Sequence, residues 1–97
     1  MDERDLKVIQ FVAERGEVPL RELEDWIAST WRISIDAAWR IVRRLVKRRV
    51  LRYRRHARRI YVELHPEFVA LITHIYSLVF SRQPHRVRYQ ETKHSIP

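Results

Sequence analysis

The spacing of the apolar residues changes once in the middle of the chain, and that change limits what residues 34–64 can become. Projected at about 100° per residue, Ala38, Ile41, Val42 and Leu45 share one stripe of a helix. Asp36, Arg40, Arg43 and Lys47 fall opposite, with Trp39 and Arg44 on the flanks. Ser34 is a good N-cap and Asp36 lies in the first turn, so the spacing predicts a helix over about 34–48. From Leu51 the period drops to two. Leu51 and Tyr53, then Ile60, Val62 and Leu64, turn to one side of two short strands. Arg52, Arg54, Arg59, Tyr61 and Glu63 turn to the other. Arg55, His56, Ala57 and Arg58 are left for the connection. With no Asn-Gly or Asp-Gly available, a four-residue loop around a type I turn is expected instead of a tight primed turn.

The rest of the chain adds helices around this unit. Leu6, Ile9 and Ala13 share one face of a first helix, favoured by its acidic opening and closed by Gly16. Val8, Phe11 and Val12 lie on another side, so this helix is expected to have two neighbours. Val18 suits a very short strand. Pro19 is placed as a first helical residue, and Leu20, Leu23 and Ile27 give the spacing of a second helix ending near Thr30. Glu22, Glu24 and Asp25 are read as its solvated face, and Trp26 and Trp31 as packing residues. Pro66 opens a fourth helix over 66–81, and residues 82–97 form a basic polar tail in which Val87 and Tyr89 alternate with Arg86 and Arg88. The expected class is therefore mainly α with a small β-hairpin (α+β), in one domain of modest core.

Charge points to a partner. The net charge is +8, but its distribution says more. Residues 1–39 hold nine acids and five bases, whereas residues 40–62 hold eleven bases and no acid. Soluble surfaces intersperse their signs; segregation of this kind is the footprint of a polyanion-binding surface. Five of the eight residues from Arg52 to Arg59 are arginine, a residue suited to bidentate phosphate contact or to a narrow minor groove.

Other chemistry lacks a basis in the sequence. There is no cysteine, so no disulfide framework or thiolate metal site is available. His56, His65, His74, His85 and His94 show no close pair at metal-ligand spacing. No Ser/His/Asp set, glycine-rich phosphate loop or paired carboxylates stand out, so no enzymatic activity, cofactor, metal or small-molecule ligand is expected. No secretory signal pattern opens the chain and the apolar runs are short for a bilayer, which gives a cytoplasmic, nucleoid-associated protein as the expectation. One glycine, one methionine, no asparagine and many arginines suit a heat-adapted source.

In order and in motif, GEVPLRELEDWIA (16–28), SIDAAWRIVRRLVKRRVLRY (34–53) and RRIYVEL (58–64) resemble the winged helix-turn-helix family. The resemblance covers about residues 5–64. It implies a winged helix-turn-helix domain over 1–65, with a recognition helix at about 34–48 and a wing at about 51–64. It further implies double-stranded DNA as partner, met by Ser34, Trp39, Arg40, Arg43, Arg44 and Lys47 from the helix. From the wing the contacts would be Arg52, Arg54, Arg55, His56, Arg58 and Arg59. Relatives usually carry glycine just after the recognition helix; here Arg49 stands there. A left-handed arginine costs about 1–2 kcal/mol, so a different helix ending is expected.

The fourth helix has no formally charged residue between Phe68 and Ser81. Phe68, Leu71, Ile72, Ile75, Leu78 and Val79 make one apolar face, which Val69, Tyr76 and Phe80 widen to about 200°, twice what a terminal helix needs to bury itself. A homodimer is expected, with the domain's own core claiming the main face first. Its interface is read as Val69, Ile72, Ile75, Tyr76, Val79 and Phe80, joined by Val8 and Phe11 of the first helix. A sequence-specific, dimeric transcriptional regulator is the reading these features favour. The alternative is an interaction module for protein or RNA within a replication, repair or transcription assembly, or a non-specific chromatin protein. Salt dependence on random duplex DNA separates phosphate binding from a protein-binding module.

Overall fold

In the computed structural model, which describes residues 1–82, four helices surround a small antiparallel sheet. The order is α1 (Glu3–Arg15), β1 (Glu17–Pro19), α2 (Leu20–Trp31), α3 (Ile35–Lys47), β2 (Leu51–His56), β3 (Arg59–Leu64) and α4 (Pro66–Arg82). The class is mainly helical α+β. The alternation expected for Val87 and Tyr89 lies outside the described residues. Among the described residues no helix is long and apolar enough to cross a membrane.

Local chemistry sets the boundaries. Asp2 caps α1 by accepting the Asp5 N–H at 2.9 Å, and this bond holds the Asp2 carboxyl below the usual carboxylate range. Gly16, at φ 80°, ends α1 by donating to the Val12 carbonyl. Ser34 caps α3 as expected, its hydroxyl accepting the Ala37 N–H at 3.0 Å. His65 opens α4: its carbonyl accepts from Phe68 and Val69, and its Nδ1 accepts the Glu67 N–H.

The end of α3 departs from expectation. Arg48 caps the helix and Arg49 follows at φ 62°, left-handed although it is not glycine. The Arg49 N–H reaches the Val46 carbonyl and the Val50 N–H the Leu45 carbonyl, both at 3.0 Å. That is the Schellman pattern, completed by burial of Leu45 and Val50. Two backbone bonds and one apolar contact hold arginine in the conformation that glycine usually fills.

The hairpin also differs. The sheet has three strands in the order β1-β3-β2, with Val18 opposite Val62 and Leu51 opposite Leu64. Pairing of β2 with β3 runs out to His56 opposite Arg59, leaving only Ala57 and Arg58 in the turn. The turn is thus two residues long instead of four. Ala57 takes φ 57°, the positive value that short hairpin turns demand and that glycine or asparagine usually supplies. Arg55 belongs to the strand, opposite Ile60, on the side of Leu51 and Tyr53.

Val8, Val12, Val18, Leu23, Ile27, Val42, Leu45, Leu51 and Val62 are fully buried and form the core. The α3 stripe Ala38, Ile41, Val42 and Leu45 is buried as the spacing required. For α1 the burial corrects the expectation. Val8 and Phe11, read as dimer contacts, are buried inside the subunit: α1 packs on β1 and β3, and Phe11 stacks on Trp26 with ring centroids 4.0 Å apart. Of the face shared by Leu6, Ile9 and Ala13, Ile9 is buried and the other two are exposed. Glu24, read as solvated, is only 8 % exposed. Finally, the domain's core does not claim the main face of α4; Phe68 alone among its apolar residues packs there.

Candidate nucleic-acid interface

Burial of the α3 stripe leaves the opposite side of that helix facing out. Trp39, Arg40, Arg43, Arg44 and Lys47 line a shallow surface concavity there. The Arg43 guanidinium lies 5.0 Å from the Trp39 ring centre, so the indole supports one cation and orients it. Asp36 is exposed in the first turn, which leaves the middle and C-terminal half of the helix as its cationic part.

Arg44 is differently engaged. It donates to Asp5, which is 2 % exposed at the start of α1. A buried carboxylate is costly without a partner, so this arginine first serves to dock α1 against α3.

Alternation divides the hairpin charges between the two sides of the sheet. On the outer side Arg52 donates to Glu63 at 2.6 Å, Arg54 lies 3.8 Å from the same carboxylate, and His56 lies 3.4 Å from Glu17. His56 also meets the edge of Tyr61. Acids thus offset part of the outer face. Arg55 lies on the helix side of the sheet, Arg58 in the turn and Arg59 beside it. Arg40, Arg43, Lys47, Arg48, Arg55, Arg58 and Arg59 have no ion-pair partner among the described residues. Within the basic stretch 40–62 the unpaired cations therefore lie on α3 and its C-terminal end and at the tip of the hairpin.

No protein-family model and no curated protein matches this chain.

Three features of this surface escaped the sequence reading. Tyr53 continues the inner side of β2 beyond the core and is 41 % exposed; burial foremost, then Glu24, push its phenol pKa up, while Arg43 pulls it down. Alternation gives the side that Tyr53 faces but cannot show that the core ends at Leu51 and Val62. Arg48 is an exposed cation at the end of α3, and its place in the charge run was the available signal. Glu24 is the third. It lines a groove of about 720 Å³ between the start of α2 and the hairpin tip, together with Glu22, Asp25, Arg58 and Arg59. Its carboxylate has no hydrogen-bond or ion-pair partner among the described residues; its position, four residues after Leu20 and three before Ile27, puts it beside the apolar stripe and was the available signal.

Proposed function

We propose that this chain binds double-stranded DNA as a transcriptional regulator. In this reading α1 to β3 form a winged helix-turn-helix unit, α3 enters the major groove, and the β2–β3 hairpin is the wing on flanking backbone. The observation that carries it is the cationic front of α3. Arg40, Arg43 and Lys47 are exposed and unpaired among the described residues, on a helix whose other side is locked into the core. A helix about 10–12 Å across fits the ~12 Å major groove of B-DNA. Arginine there can reach guanine N7 and O6, while Arg55, Arg58 and Arg59 are placed to hold phosphates and fix the register.

The test is a salt titration with random and selected duplexes. Binding should weaken steeply with salt, and replacing Arg55, Arg58 and Arg59 by alanine should flatten the slope by about 0.9 for each lost phosphate contact. Arg43→Ala should also relax preference at particular base pairs, by about 1–3 kcal/mol. Affinity for duplex DNA that ignores salt would rule the proposal out. A selected motif identical in wild type and in the Arg40, Arg43 and Lys47 variants would rule out base reading by α3.

A further inference from the structure

Helix α4 stands on the domain with little of it covered. Every residue from Val69 to Ser81 is exposed, and the large apolar side chains from Val69 to Phe80 are 43–61 % exposed. In its polar sector Thr73 and Ser81 donate their hydroxyls to the Val69 and Ser77 carbonyls of the same helix, which lowers the cost of burying those two groups. A helix this apolar over most of its circumference is normally enclosed. A second, largely apolar feature adjoins its base: Ala13, Leu64, Pro66, Val69 and Ala70, with Glu63, whose carboxylate is paired to Arg52, line a groove of about 470 Å³ between α1, the end of β3 and α4. Leu6, 56 % exposed, extends this strip two turns along α1.

We propose that the occupant is a second copy of this chain, with the two α4 helices antiparallel about a two-fold axis near His74 and Ile75. Three observations favour a copy over a foreign partner. The helix carries no formal charge from Phe68 to Ser81, so like packs on like without repulsion, and no charge pattern is present to select a different chain. Helix dipoles oppose in the antiparallel sense. The axis also brings the far end of each α4 to the base of the other. Phe80, braced by its edge contact with Tyr76 at 4.4 Å, then meets the base groove of the other copy while Tyr76 packs nearer the axis, and each copy supplies both the filler and the socket. α1 contributes Leu6 and Ala13, not Val8 and Phe11, which the subunit itself buries.

The inference stands apart from the nucleic-acid reading, because its readout is mass. Sedimentation of wild type at micromolar concentration should give twice the 11.9 kDa chain mass. Tyr76→Glu with Phe80→Glu, and separately Ala13→Arg, should each halve it while leaving the helical circular dichroism unchanged, since all three side chains are exposed. The chain has no cysteine, so orientation can be read directly. Chains with Val69→Cys mixed with chains with Phe80→Cys should form a disulfide, and neither variant should do so alone. A monomeric wild type, or a dimer that survives both sets of charges, overturns the proposal. Self-crosslinking of Val69→Cys alone overturns the antiparallel arrangement.

Discussion

Arg43 and Arg44 are adjacent in α3 but serve different neighbours: one lies over Trp39 in front of the helix, the other holds the buried Asp5. Their alanine variants should separate binding from folding. Arg44→Ala strands a carboxylate that is 2 % exposed and should cost about 1–3 kcal/mol of stability in a denaturant titration. That is below the range for fully buried pairs because Arg44 itself is half-exposed. Its effect on the salt slope of DNA binding should be small. Arg43→Ala should show the reverse, with an unchanged unfolding midpoint. Glu24 gives a residue-scale prediction in pH. Burial raises its carboxyl pKa, with Arg21 opposing and Asp25 adding to the rise. The folded state therefore holds this proton more tightly than the unfolded chain does. Its contribution is most favourable at low pH and declines as pH rises through the folded pKa. Glu24→Gln removes the decline. The variant should melt above wild type at neutral pH, and the gain should vanish as the pH falls through the ordinary carboxylate range. A variant that melts lower at neutral and at low pH alike would show that the carboxylate has a partner worth keeping.

At the scale of elements, α3 was legible because its two faces differ in both polarity and charge, and its Ser34 cap lies where the spacing begins. The strands were legible from their alternation. What remained hidden depended on contacts between elements. α1 carries apolar residues on two sides, and projection alone cannot say that Phe11 goes to Trp26 while Leu6 goes to solvent. Glu24 lies among acids that are exposed, but unlike Glu22 and Asp25 it falls on the Leu20, Leu23 and Ile27 side of α2, where the fold covers it. The hairpin turn and the end of α3 were misread for one reason: the rules for tight turns and helix ends favour glycine, yet Ala57 and Arg49 occupy those positions at positive φ. Arg49→Gly should accordingly stabilise the domain by about 1 kcal/mol, seen as a higher denaturant midpoint with unchanged slope. The Arg49–Glu67 ion pair at 3.1 Å is lost in that variant, but both groups are exposed and the pair contributes little. A fall in the midpoint would mean that the Schellman bonds remove the strain entirely.

For the molecule as a whole, pairing through α4 relates two α3 helices by the same two-fold axis. A selected binding site should then be an inverted repeat whose half-sites lie about 10–10.5 base pairs apart, or one turn further. The Tyr76→Glu, Phe80→Glu monomer should lose this repeat and retain weak non-specific binding; a single asymmetric site for the dimer would break the link between assembly and recognition. The sheet has its own consequence for how the chain reaches this state. β1 is three residues long, ends in Pro19, and pairs Val18 with Val62 from the far side of two helices and a hairpin. Closing so long a loop for so few bonds is unfavourable until the elements between them are already in place. β1 should therefore dock after the main folding barrier is crossed and be the first strand released on unfolding. In stopped-flow chevrons of the monomeric variant, Val18→Ala should leave the refolding rate nearly unchanged and raise the unfolding rate, about tenfold for each 1.4 kcal/mol lost. A slowed refolding arm would instead place the β1 closure inside the nucleus.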